Sequence, residues 1–239
     1  MTAHRPLKAV LFDLDGTLVD TAADFVRIIH EMAAENGWQA PSNQVIREQV
    51  SAGAKAMVSL FSLHNSLGDD AIQIEEKVMA YRQAFLERYE TEICVDSQVF
   101  QGLKALLTKL ENQGIAWGVV TNKPRYLAEK LLTALNLSER CQTLVCPEDV
   151  THTKPDPEPM YLAVKQLGLT KQDCPNIIYV GDHIRDIQAG NAAGMVTIAA
   201  KYGYICTKEK QQLATWQANY IVETPEALLT LILSSQFGR

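Results

Sequence analysis

Two aspartates stand two residues apart in Asp13-Leu14-Asp15-Gly16-Thr17, directly after the apolar run Ala9-Val10-Leu11-Phe12. Carboxylates next to such a segment are costly to bury unless a cation compensates them. Gly16 permits a tight turn, and Thr17 offers a hydroxyl to a backbone or phosphate oxygen. A plain turn or helix N-cap rich in Asp and Gly would carry the same residues. A second candidate, Thr121-Asn122, follows the run Trp117-Gly118-Val119-Val120. Its hydroxyl and amide can donate to phosphate oxygens, though Thr-Asn is also ordinary turn chemistry. In Lys154-Pro155-Asp156-Pro157 the proline restricts the residue before it to extended conformations, which holds Lys154 outside the next helix. An ammonium so placed can neutralise a phosphoryl group or screen crowded carboxylates; the plain reading is a solvated surface lysine. Gly181-Asp182-His183-Ile184-Arg185-Asp186 adds two more acids after Ile177-Ile178-Tyr179-Val180. Four acids and one lysine suit magnesium, which takes oxygen ligands and commonly bridges one or two carboxylates to a phosphate. His183 reads as a supporting or surface residue rather than an acid–base group.

For these residues to meet, the runs before them must be neighbouring strands with their carboxyl ends together, where ligands bind in open α/β sheets. Six short runs qualify: Ala9 to Phe12, Trp117 to Val120, Thr143 to Cys146, Ile177 to Val180, Val196 to Ala199 and Tyr220 to Val222. They are continuously apolar rather than alternating, as expected of parallel strands covered on both faces. Helical patterns lie between them at Phe100 to Gln113, Arg125 to Leu135, Pro157 to Leu167 and Asp186 to Ala193. Gly114, Gly168 and Gly194 follow three of these, where a left-handed terminal residue is wanted. The alternation predicts an α/β fold, a Rossmann-like doubly wound parallel sheet. From about Asp20 to Tyr89 the pattern is helical instead, with turn signals at Asn36-Gly37, Pro41-Ser42 and Gly68-Asp69-Asp70. The expected organisation is a catalytic core of residues 1–19 and 90–239, with a helical cap, 20–89, inserted after the first strand.

Taken as an ordered set, DxDGT, a strand-end threonine, lysine before Pro-Asp-Pro, and GDxxxD resemble the haloacid dehalogenase superfamily over essentially the whole chain. The helical insert resembles that family's type-1 cap. The resemblance implies a magnesium-dependent phosphatase in which Asp13 attacks phosphorus. Asp15 would protonate the leaving oxygen and then activate the water that opens the aspartyl-phosphate. Such a division splits one hard displacement into two easier ones. It also implies Mg2+ held by Asp13, the backbone carbonyl of Asp15, and Asp182, with Asp186 in support, and phosphoryl oxygens held by Thr121, Asn122 and Lys154. Dehalogenases and phosphonate-cleaving relatives lack the second aspartate, so Asp15 argues for phosphate ester hydrolysis. The mutase branch wants a cap histidine that Ala22-Ala23-Asp24-Phe25-Val26 does not offer.

Within the superfamily the chain resembles the phosphoglycolate phosphatase branch, and there the N-acetylmuramic acid 6-phosphate phosphatases of cell-wall (peptidoglycan) recycling. The residues carrying this likeness are Ser51-Ala52-Gly53-Ala54-Lys55, Trp117 to Pro124, Lys154 to Pro159, and Tyr202-Gly203-Tyr204-Ile205. The implied substrate is N-acetylmuramic acid 6-phosphate, with 2-phosphoglycolate as the alternative. A non-catalytic binding protein on the same scaffold is the reading from another class. Ser51, Gly53 and Lys55 form the candidate substrate loop of the cap: small residues allow close backbone approach, and Lys55 or Arg47 could meet a substrate carboxylate. A simple helix start with an exposed lysine is the plain alternative.

Composition is that of an ordinary globular protein. The 239 residues are 47% hydrophobic and 21% charged, enough for a sizeable core. A formal net charge of −6 argues against nucleic acid or an anionic membrane as partner. No run approaches the ~20 apolar residues of a membrane span, and Met1 to Pro6 does not read as a signal peptide. Five scattered cysteines without a CxxC pair read as small, partly buried thiols in a reducing cytoplasm. The expected location is therefore cytoplasmic, with a monomer as the default.

Overall fold

The computed structural model describes residues 6–65 and 71–234, with backbone alone for 61–65. The turn expected at Gly68-Asp69-Asp70 and most of the Met1-to-Pro6 segment lie outside the described residues. The elements in chain order are β1 (Ala9–Phe12), β2 (Val19–Asp20), α1 (Ala22–Glu35), α2 (Asn43–Gln49), α3 (Ala54–Asn65), α4 (Ala71–Thr91) and β3 (Gln98–Val99). There follow α5 (Leu103–Asn112), β4 (Ala116–Val120), α6 (Arg125–Ala134), β5 (Leu144–Val145), α7 (Glu158–Gln166), β6 (Ile177–Gly181) and α8 (Ile184–Ala192). The chain closes with β7 (Val196–Ala200), α9 (Thr207–Gln212), β8 (Tyr220–Val222) and α10 (Pro225–Leu233).

Six strands form one sheet in the order β5-β4-β1-β6-β7-β8, and every pairing is parallel. The apolar run of β1 has its physical reason in the two faces it serves. Val10 and Phe12 enter one core with Leu106 of α5, Leu131 of α6 and Leu228 of α10. Ala9 and Leu11 enter another with Met160 and Ala163 of α7 and Ala189 of α8. The fold is thus the expected α/β doubly wound sheet. Helix α5 starts three residues later than the pattern predicts, because Leu103 N–H closes a turn on Phe100 O and Gly102 takes a left-handed φ of +89°.

Helices α1 to α4 gather around a separate apolar cluster. On α1 the buried positions Phe25, Ile28, Ile29, Met32 and Ala33 follow helical spacing, and they meet Ile46, Val58, Val78, Phe85 and Tyr89. Phe25 stands edge-on to both Phe85 and Tyr89, with ring centroids 5.5 and 4.6 Å apart. The chain enters this helical region through β2 and leaves it through β3, and these two strands pair antiparallel. Buried Asp24 fixes the exit segment, accepting from Asp96 N–H at 2.9 Å and Ser97 N–H at 3.1 Å. All five cysteines are free thiols, and no described helix is long and apolar enough to cross a membrane.

Candidate active site

Because β4, β1 and β6 are adjacent and parallel, their carboxyl ends lie side by side, and each delivers one candidate residue. Asp13 follows β1, Thr121 follows β4 and Asp182 follows β6; Asp13 N–H still donates to Val180 O at 2.9 Å. Helix α8 returns Asp186 to the same point. Its first turn is capped by His183, whose Nδ1 accepts from Arg185 N–H while Asp186 accepts from His183 N–H. His183 thus supports the α8 start, in keeping with the supporting role read from sequence.

Asp13, Asp182 and Asp186 are all buried and offer carboxylate oxygens within 4.8 Å of one another. Lys154, with a fully buried side chain, lies 2.8 Å from both Asp13 Oδ1 and Asp186 Oδ1. Its ammonium also donates to Val120 O (2.9 Å) and to the Tyr179 hydroxyl (2.8 Å). One ammonium therefore serves two of the three carboxylates. Burial opposes ionisation of Asp13, but Lys154 and Arg185 outweigh it and hold its carboxyl below the usual range. No such cation compensates Asp182: burial, and then the charges of Asp13 and Asp186, push it up to about 7. Such a cluster is short of positive charge. Octahedral magnesium takes oxygens at about 2.0–2.1 Å, so its opposite ligands stand about 4.2 Å apart, close to the spread seen here. The residues fit a magnesium ion.

Gly16 is required by close approach as well as by its φ of +81°. A Cβ there would stand 2.2 Å from Asp182 Oδ2 and 2.7 Å from the Tyr204 ring. Gly16→Ala is expected to displace Asp182 and weaken magnesium binding at least about tenfold, which isothermal titration would read. Unchanged affinity would show that Asp182 need not sit where it does.

Asp15 points elsewhere. Its carboxylate accepts from Thr21 Oγ1 at 2.8 Å and from the buried Lys123 ammonium at 3.0 and 3.2 Å. Lys123 in turn reaches the Tyr89 hydroxyl at 3.2 Å and stands over the Tyr89 and Phe25 rings, 4.4 and 5.0 Å from their centroids. Sequence reasoning missed this lysine, yet a signal existed: Lys123-Pro124 repeats at β4 the lysine-before-proline pattern noticed at Lys154-Pro155. Thr121 is buried at the site, and its hydroxyl accepts from Lys123 N–H at 3.1 Å. The Asn122 amide is directed at Lys154 O, 3.1 Å away, so it steadies the lysine's backbone.

The loop before α3 approaches more closely than its small residues alone suggested. Ser51 Oγ donates to Asp182 Oδ2 at 2.7 Å, and Arg185 Nη2 donates to Ser51 O. Gly53 has a φ of +93° and lines the cavity with Lys55. Lys55, however, is paired with Glu75 at 2.6 Å. Arg47 binds both oxygens of Asp20 and stacks on Tyr204, away from the cavity. Between these helices and the strand ends lies a cavity of about 280 Å³, near the lower limit of about 300 Å³ for small-molecule pockets. Asp13, Asp15 and Thr121 stand in its wall; Phe85, Leu86 and Met57 give it an apolar side.

A family model for haloacid dehalogenase-like hydrolases matches residues 10–200. The chain belongs to the haloacid dehalogenase-like hydrolases. It is 43% identical over 226 residues to the N-acetylmuramic acid 6-phosphate phosphatase of Pseudomonas aeruginosa, covering 95% of each chain. It is 37% identical over 221 residues to a phosphoglycolate phosphatase of Xanthomonas campestris pv. campestris, covering 92% of this chain and 94% of the relative. A crystal structure of a predicted phosphoglycolate phosphatase from Haemophilus somnus superposes with a TM-score of 0.79 at 23% identity, covering 94% and 97% of the two chains. That likeness speaks for the fold. Like its curated relatives, this haloacid dehalogenase-like hydrolase is a phosphatase.

Proposed function

We propose that the chain is a magnesium-dependent phosphatase acting on N-acetylmuramic acid 6-phosphate through an aspartyl-phosphate on Asp13, within cell-wall recycling. The observation carrying this reading is the buried trio Asp13, Asp182 and Asp186 with the Lys154 ammonium among them. Asp13 attacks phosphorus; the leaving sugar oxygen takes a proton from Asp15, which stands in the same cavity. Asp15 then takes a proton from water as that water attacks phosphorus, and Asp13 leaves as a free carboxylate with inorganic phosphate. Lys154 balances the charge of Asp13 and Asp186 throughout, and Thr121 offers its hydroxyl proton to a phosphoryl oxygen. Asp13, Asp182 and the Asp15 carbonyl, with Asp186 in support, would hold a magnesium ion, which would supply positive charge for a transfer that depends mainly on positioning and charge compensation.

Residues 20–89 act as the cap over this centre. The Ser51 hydroxyl on Asp182 and the Tyr89 and Phe25 rings around Lys123 support that role, since both tie the helical layer to the acids. The substrate reading rests on the 43%-identical relative and on a cavity whose apolar wall suits a sugar's methyl groups. The second reading, 2-phosphoglycolate, rests on the 37%-identical relative. Specificity constants for both esters with magnesium decide between them. The amino sugar phosphate is expected to lead by a hundredfold or more, about 2.7 kcal/mol. A lead for phosphoglycolate would move the substrate and leave the chemistry standing, while no hydrolysis of either would favour a binding protein.

A further inference from the structure

We infer that Arg82 is the specificity-determining residue that receives the substrate's carboxylate, and that its place on α4 selects for a carboxylate held far from the phosphate. This inference rests on the proposed substrate class. The case begins with the pattern of α4. Its buried positions Val78, Phe85, Leu86 and Tyr89 form one helical stripe, and Arg82 is the charged residue set within it. Arg82 is half-buried there, its stem along the apolar stripe and its guanidinium free to face the cavity.

Each of the other cations of the cavity wall already holds a partner, although the buried Arg185 Nε has none. Lys55 is bound to Glu75, Lys123 to Asp15, and Arg185 donates to Ser51 O. Among the described residues Arg82 has no hydrogen bond or ion pair, and its charge reaches the Tyr126 phenol. Yet Arg82 lines the same cavity as Asp13 and Asp15. A half-buried guanidinium facing a cavity is suited to a carboxylate, which it can bind with two parallel hydrogen bonds.

Spacing then chooses the kind of carboxylate. Tyr89 marks the phosphate end of α4, because its hydroxyl meets Lys123, which holds Asp15. Arg82 lies seven residues earlier, two turns back, and a rise of 1.5 Å per residue puts it roughly 10 Å along the helix. In phosphoglycolate the phosphate and carboxylate are separated by a single carbon and an oxygen, too short to reach both ends. In a 6-phosphorylated amino sugar with a lactyl ether on carbon 3, the connecting path runs from the phosphate through C6, C5, C4 and C3 to the lactyl oxygen and carbon, so the two charged groups can extend far apart. That length matches the interval.

The test compares N-acetylmuramic acid 6-phosphate with N-acetylglucosamine 6-phosphate, which is the same sugar without the lactyl group. The readout is the ratio of the two specificity constants in wild type, Arg82→Gln and Arg82→Lys, with thermal midpoints as folding controls. Arg82→Gln is expected to lower that ratio about thirtyfold, chiefly through KM for the lactyl sugar, and Arg82→Lys to restore part of it. A ratio unchanged in Arg82→Gln, with wild type still favouring the lactyl sugar, would overturn the role of Arg82 and leave the substrate reading intact. A wild type that favours phosphoglycolate would instead overturn the substrate reading and the length selection built on it.

Discussion

Asp13→Asn is expected to reduce hydrolysis of a generic aryl phosphate by at least about 10⁴-fold, with magnesium still present and the protein still folded. The size follows from losing the attacking atom itself, since removing a nucleophile leaves only positioning and charge compensation. Folding should survive because the asparagine carbonyl can still accept from Lys154, and Lys154 keeps Asp186 at 2.8 Å. The Asp13 backbone stays fixed by its bond to Val180 O. Stopped-flow release of the aryl alcohol, with circular dichroism as a folding check, reads the outcome. Activity within tenfold of wild type would place the nucleophile on another residue.

The same geometry explains what was legible in the sequence. The strand Ala9–Phe12 was readable to the residue because both of its faces are buried, which leaves an uninterrupted apolar run. Asp13, Thr121 and Asp182 were legible because each directly follows such a run and parallel pairing brings the run ends together. The β2–β3 pair was not, since two-residue strands carry no period to detect. Helix α10 escaped although Thr224 caps it and Pro225 opens it, an ordinary helix-start signal. Side-chain partnerships were the least legible part. Lys55 is tied up by Glu75, and Ser51, read as a substrate-loop residue, donates to Asp182 from 131 positions away. Lys123 finds Asp15 across 108 positions. Local pattern says which residue types stand at a strand end. It says nothing of which distant helix lies over them.

Asp182→Asn is expected to separate stability from function: the metal-free variant should be more stable than wild type at pH 8 and at least about a hundredfold less active. Burial and then the charges of Asp13 and Asp186 push the Asp182 carboxyl up to about 7 in the folded chain, against an ordinary value of 3.8. Between those two values the folded protein holds a proton that the unfolded chain has released, so stability falls as pH rises through that window. At about 1.4 kcal/mol per unit, the ceiling is on the order of 4 kcal/mol by pH 8, and relaxation should leave about 2–4 kcal/mol. Asp13, held below its ordinary value, has the opposite sign but acts only in more acidic solution. Asparagine keeps an oxygen for Ser51 Oγ and Tyr204 N–H, both of which now donate to Asp182 Oδ2, while carrying no charge. Thermal unfolding in chelator should therefore favour the variant at pH 8 and erase its advantage near pH 4. Magnesium should stabilise wild type most at the higher pH, where the cluster is most negative, and stabilise the variant little. Equal stability of the two proteins in chelator at pH 8 would mean that the crowded carboxylates impose no cost, and with it the physical reason for a cation at this site would disappear.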